Sequence, residues 1–460
     1  MAARDAVKQY LKENASRFEE ELCQLLRIPS VSTDPQYKPD VERAAEWLAE
    51  HFRSLGLEAQ VHSTPGHPIV VARGPQVPDA PTVLVYGHYD VQPPDPLELW
   101  DSPPFEPSRR DGNLYARGAT DDKGQMFTHV KAAEAWLKTT GSLPVNLIFL
   151  IEGEEEVGSQ HLEPFLREHA RQLACDCVVI SDMCQFGPGQ PAITYGLRGI
   201  AYYELLLQGP NRDLHSGSFG GAVTNPANVL VRLLASLVDE HGKVQVPGFY
   251  DQVRSISAEE RQRLAMLPFS EEDFFRQLGV EEGSGERGFT TLERRWARPS
   301  YDINGLTAGY QGPGAKTVLP ARASAKFSFR LVPDQDPEKI TASLEEFLRG
   351  QLPPGVTMEL KSYHGAKGVL VDENHPYVKA AAEAVSEAFG TAPLFIREGG
   401  SIPVVLTFQE LFDVPVLLLG WGQNDDNTHS PNEKFSLSDF HLGTRASAYL
   451  LDEIARTGSV

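Results

Sequence analysis

The chain has 460 residues, of which 41% are apolar and 23% charged, and carries a formal net charge of −21 at pH 7. That length exceeds one hydrophobic core and implies two or three domains, while the acidic balance excludes the basic stripes that neutralise nucleic-acid phosphates. With no run of 18 apolar residues and no apolar leader at the N-terminus, a soluble cytoplasmic protein without a membrane partner is expected.

In chain order, residues 1–26 read as one amphipathic helix. VERAAEWLAEHFRSLG (41–56) reads as the next, with Ala44, Leu48, Phe52 and Leu55 on one face and Gly56 as its stop. Apolar strands follow at TVLVYG (82–87), VNLIFLIE (145–152) and CVVIS (177–181), the last two separated by the helical HLEPFLREHARQL. Continuous apolar strands alternating with helices indicate an α/β layer whose sheet is covered on both faces. The four cysteines (Cys23, Cys175, Cys177 and Cys184) suit a reducing compartment, with Cys175 and Cys177 alternating along a strand.

From about residue 199 the texture changes. The strand AYYELLLQG is followed by the helix NPANVLVRLLASLVDE, with Asn225 as N-cap and Pro226 in the first turn. INGLTAGY and ASAKFSFRL are strands, DPEKITASLEEFLRG a helix and VTMELKS a strand. This β-α-β-β-α-β order is that of a ferredoxin-like unit, interrupted by an insertion at about 241–300. The helix ENHPYVKAAAEAVSEAF and the strand VLLLG (416–420) then return to the α/β pattern. The expected organisation is an α/β domain from 1–198 and 371–460, with an α+β domain at 199–370 between its two parts.

The C-terminal ends of the strands carry a consistent chemistry. His88 and Asp90 follow the first strand, and Asp121 and Asp122 follow a Gly-rich segment. Glu154, Glu155 and Glu156 follow VNLIFLIE, Asp182 follows CVVIS, and His429 lies beyond VLLLG. Open α/β sheets bind ligands at these ends. Singly, a histidine after a strand is more often a structural residue, and an Asp-Asp pair is usually a turn or an N-cap. Together, two imidazoles and several carboxylates suit divalent zinc, or manganese or cobalt, better than calcium. The ligands outnumber the needs of one tetrahedral ion, so two metals sharing a bridging carboxylate fit the pool.

GHYDVQP, RGATDDKGQ, EGEEEVGS, SD with ITYGLRG, DLHSGSFGG, REGGSIP and THSPNEK resemble the M20 metallopeptidases, most of all their cytosolic non-specific dipeptidase and carnosine dipeptidase branch. The similarity runs from about residue 20 to the C-terminus. It implies a zinc-peptidase-like catalytic domain with a covered mixed sheet, interrupted by a ferredoxin-like lid and dimerisation domain. It further implies His88, Asp121 and Asp182 around one metal, and Asp121, Glu156 and His429 around a second. Asp90 would orient His88, and the Asp121–Asp122 peptide is a candidate for the cis form that the family often has there. Glu155 matches the general base acting on a water activated by two metals, whereas Glu154 has no family role and is expected to face solvent or a neighbouring loop. His215 matches the histidine that stabilises the oxyanion from a partner subunit. Arg330, Gly400 and Ser401 match the substrate-carboxylate contacts, and His364 and Thr317 match further substrate contacts. Tyr195 and Arg198 are expected to be structural.

The chain has GQNDDNTHS where the family's human cytosolic members carry a segment like GSADDGAHS, so the loop beside His429 is expected to tune substrate fit. The function implied is hydrolysis of dipeptides by a homodimer. An N-acyl-amino-acid deacylase or a carboxypeptidase is the alternative within the family. A non-catalytic binding homologue is disfavoured by the intact Glu155.

Overall fold

The computed structural model describes residues 2–400 and 402–458, without the side chains of residues 2, 364 and 403. The chain forms two compact units, one of Met1–Tyr195, Val371–Ile396 and Thr407–Val460, the other of Gly196–Leu370 and Arg397–Leu406. The segment Arg397–Leu406, which the sequence reading grouped with the α/β domain, belongs to the second unit.

The first unit is organised by a mixed sheet. Four neighbouring strands, Asn146–Glu152, Thr82–His88, Cys177–Cys184 and Val416–Gly422, run parallel. Ile69–Arg73 and Glu58–His62 extend the sheet antiparallel on one side, and Ala192–Leu197 on the other. The apolar runs arise because both sheet faces are buried. Val83, Val85, Phe149 and Val179 face one core, while Leu84, Tyr86, Ile180 and Leu418 are buried on the opposite face. The Lys38–Leu55 helix sets Phe52 against Phe149, with ring centroids 4.8 Å apart. The Leu437–Thr457 helix lies against Trp421 at Gly443, where a Cβ would come within 2.7 Å of the indole. Because the four strands are parallel, all their C-terminal ends open on one edge.

The second unit is a four-stranded antiparallel sheet in the order Ser300–Ala308, Arg322–Leu331, Gly199–Gln208, Thr357–Ala366. Its order matches the ferredoxin-like expectation. Burial alternates strictly along Gly199–Gln208. Tyr203, Leu205 and Leu207 pack with Leu230 and Leu233 of the Pro226–Ser236 helix and with Leu344 of the Pro337–Arg349 helix. The insertion folds into the helices Ala258–Met266, Glu271–Leu278 and Thr291–Trp296.

Two helical expectations are corrected. The N-terminal stretch is two helices, Ala2–Glu13 and Ala15–Leu26, broken at Asn14. The Asn14 amide donates to the Tyr10 carbonyl (2.9 Å), competing with the helical ladder. The helix capped by Asn225 ends at Ser236 instead of continuing to 240, because Val238 pairs with Val244 across a turn closed by Gly242 (φ 75°).

Candidate metal centre and catalytic site

The parallel strands deliver the side chains to one edge. His88 ends its strand, Asp182 lies in Cys177–Cys184, and Glu155 and Glu156 form a short 3-10 turn after Asn146–Glu152. Asp121 and Asp122 immediately precede the buried Lys123–Thr140 helix, whose N-terminal dipole favours acids there. The peptide between them is cis, as the resemblance implied. His429 sits at φ 60°, in a loop where Asn427 and Asn432 are also left-handed.

These residues converge as two triads that share one carboxylate. The ligand atoms of His88, Asp121 and Asp182 lie within 4.8 Å of one another, as do those of Asp121, Glu156 and His429. His88 Nε2 is 3.2 Å from Asp121 and 3.8 Å from Asp182. His429 Nε2 is 2.9 Å from the other Asp121 oxygen and 3.4 Å from Glu156. All five residues singled out as ligands in the sequence are thus brought together.

The electrostatics are those of a cation site. Burial, reinforced by Asp121, pushes the Glu156 carboxyl up to about 8. Burial, then Asp122 and Asp121, raises Asp182 well above the carboxylate range. Glu155 is raised by burial against the pull of His88, with Asp90 and Asp121 adding to the rise. Asp121 moves the other way, because the imidazoles of His429 and His88 outweigh the upward push of its burial. His88 Nε2, fully buried, has no hydrogen-bond partner among the described residues although it points between two carboxylates. A nitrogen lone pair aimed into crowded acids fits a divalent cation, which offsets the acid–acid repulsion.

Two buried carboxylates outside the triads hold the loops in place. Asp90 accepts from the backbone N–H of Glu155 and of Glu156 at 3.2 Å each, and lies 3.4 Å from His88 Nδ1. It therefore sets the imidazole and the glutamate turn at once. Glu433 accepts from the N–H groups of Gly118 (3.0 Å), Thr120 (3.0 Å) and Asp121 (3.2 Å), and pairs with Arg117 at 2.7 Å, both side chains being buried. The sequence reading did not single out Glu433, although it lies four residues beyond His429 in THSPNEK. Gln92 was also missed; its Nε2 donates to Glu156 at 2.8 Å. Glu152 is a further buried acid, pushed up to about 8 by burial and accepting from Tyr86 and Ser159. Glu154 does not face solvent. It is 7% exposed and bonds His161 Nδ1 at 2.8 Å, in space left by the missing side chain of Gly66.

The remaining candidates lie in the second unit. His215 is exposed, pairs in register with Val318 and accepts from Gly217 N–H through Nδ1. Ser216 N–H bonds the Thr317 carbonyl at 3.1 Å, so His215 and Thr317 share one small hairpin-like patch. Arg330 is the penultimate residue of its strand and is half-buried, beside Arg198 and Asp302. Gly400 is exposed. Ser401 and the side chain of His364 lie outside the described residues.

Paired histidine–carboxylate triads at a sheet edge, with a further glutamate beside them, define a metal-dependent hydrolase. The profile of peptidase family M20/M25/M40 matches residues 84–453, and the chain belongs to that family. It is 33% identical to the Cys-Gly metallodipeptidase of Schizosaccharomyces pombe, over 98% of each chain. It is 33% identical to human Beta-Ala-His dipeptidase, over 98% of this chain and 93% of the relative. Among solved structures, an M20 family metallo-carboxypeptidase from Sulfolobus solfataricus superposes with a TM-score of 0.86 at 32% identity, over 95% of this chain and 99% of that one. The family and the dipeptidase branch recognised in the sequence are borne out.

Glu433→Ala leaves the Arg117 guanidinium buried and unpaired, and should cost about 3–5 kcal/mol of stability in urea unfolding. A loss below about 1 kcal/mol would show that the ion pair does not hold the Gly118–Asp121 backbone.

Proposed function

We propose that the chain is a binuclear dipeptidase in which His88, Asp121 and Asp182 hold one cation and Asp121, Glu156 and His429 the other. The observation that carries this reading is the pair of triads joined at Asp121, with Glu155 beside them. Mixed imidazole and carboxylate donors favour zinc, with manganese or cobalt as substitutes. When bound, the two cations supply Lewis acidity and bring the pKa of water towards neutrality.

The chain's own residues divide the remaining work. Glu155 accepts the proton of the attacking water and returns it to the leaving amine. Asp90 keeps Glu155 and His88 in register through its two backbone contacts and its approach to Nδ1. His215, contributed by the partner subunit of a homodimer formed through the second unit, donates to the oxyanion. Arg330, with Gly400 and Ser401 at the entry to the Pro403–Phe412 helix, takes the substrate's free carboxylate. His364 and Thr317 complete the substrate contacts. We place the enzyme in the cytoplasm, in keeping with its low cysteine content of four in 460 residues. No helix of the described residues is long and apolar enough to cross a membrane.

The named relatives act on Cys-Gly and on β-Ala-His, and both are reasonable substrates. The close superposition on a metallo-carboxypeptidase favours a second reading, release of the C-terminal residue from longer peptides. Profiling Cys-Gly, β-Ala-His, tripeptides and N-acetyl-amino acids separates the two readings and tests the deacylase alternative. Dipeptides should be cleaved fastest, and a preference for tripeptides or acyl-amino acids would overturn the dipeptidase assignment.

Glu155→Gln should lower kcat by about 10²–10⁴-fold while elemental analysis finds unchanged metal content. Normal turnover by that variant would remove Glu155 from the base role. Mixed with His215→Ala, it should recover up to about a quarter of the wild-type rate, because half of the dimers are hybrids with one intact site. Absence of recovery in verified hybrids would show that His215 does not act across subunits.

A further inference from the structure

Nothing in the catalytic chemistry calls for the insertion at 241–300, yet it is tightly built. The Ala258–Met266 helix is capped by Ser257, whose hydroxyl accepts from the Glu260 N–H, and the Thr291–Trp296 helix carries a capping box between Thr290 and Glu293. Arg261 joins the two helices through Glu293 at 3.2 Å, so they act as one body.

This body meets the chain at the residues that lead into the glycine loop. Glu260 forms a salt bridge with Arg397, and each side chain is only 11% exposed. The aliphatic stem of Arg397 lies against Gly196, where a Cβ would come within 3.0 Å of it. At the next position, the Glu398 carboxylate accepts from Gly399 N–H at 3.2 Å and feels the charges of Arg295 and Arg198. At Gly399 itself a Cβ would stand 3.0 Å from Arg198 Nη2 and 3.3 Å from the Arg295 carbonyl. Three consecutive residues, 397–399, are therefore engaged by the insertion or by Arg198. A buried ion pair is seldom the cheapest way to gain stability, but removing one partner is costly, so the pair holds one geometry firmly. Glycine loops have high backbone freedom and need such an external hold to present their N–H groups in one arrangement.

We propose that the insertion is the positioning element of Gly399 and Gly400, with the Glu260–Arg397 pair as its pin and Arg295 as its second contact. It thereby sets the affinity for substrates with a free C-terminal carboxylate. The inference rests on the reading of this loop as the carboxylate subsite, and it assigns Glu260 a positioning role without contact to substrate.

The test compares hydrolysis of Cys-Gly and of its C-terminal amide by the full-length enzyme. Glu260→Gln and Arg397→Gln should each raise KM for Cys-Gly about tenfold, equivalent to about 1.4 kcal/mol, with kcat changed less than about twofold. KM for the amide should not move. The charge-reversed pair, Glu260→Arg with Arg397→Glu, should restore KM to within about threefold of wild type, a recovery that a general loss of stability would not produce. Unchanged KM in both single variants, or a reversed pair no better than either, overturns the positioning role. If the wild-type enzyme shows equal KM for Cys-Gly and its amide, the carboxylate subsite itself is wrong, and the inference falls with it.

Discussion

The rest of this structure is arranged around one constraint, the crowding of carboxylates where the parallel strands of a buried sheet come to an end. Asp121, Asp182, Glu155 and Glu156 meet there with two imidazoles, those of His88 and His429, between them. Two like charges at about 4 Å repel by about 4 kcal/mol at the effective dielectric of a protein surface. No arrangement of turns would gather so many without compensation. A pair of divalent cations would supply it, and the shared Asp121 would keep the two candidate sites close together.

Backbone hydrogen bonds do much of the remaining work. Asp90 and Glu433 are acids too, but each is occupied by N–H groups of the loops that carry the ligands. Asp90 couples the strand that ends in His88 to the glutamate turn, while Glu433 couples the segment after His429 to the backbone leading into Asp121. Each triad therefore contains residues whose loops are fastened by a carboxylate remote in sequence. The helix at Lys123 adds a dipole of the favourable sign beneath Asp121.

The legibility of these features from sequence followed their range. The strands could be read because burial on both faces leaves continuous apolar runs, and most of the candidate ligands because His88, Glu156 and Asp182 lie at or just beyond the ends of such runs. Features that depend on a distant partner were not legible. Glu154 was expected to face solvent or a neighbouring loop; that it turns inward to His161, into the vacant space at Gly66, is set by the fold. The break at Asn14 goes with its side-chain amide competing with a backbone N–H for the Tyr10 carbonyl, a local choice that periodicity does not register.

By itself the sequence determined the α/β and ferredoxin-like units, the residue types gathered at the strand ends, and the peptidase family to which they belong. Those follow from patterns of period two and 3.6 and from short motifs, which persist without knowledge of three-dimensional neighbours. Only the tertiary structure decided that Glu433 and Asp90 fasten the loops, and that the insertion meets the strand before the glycine loop. Each is a contact between residues far apart in the chain, and such pairings arise when packing closes the loops between them.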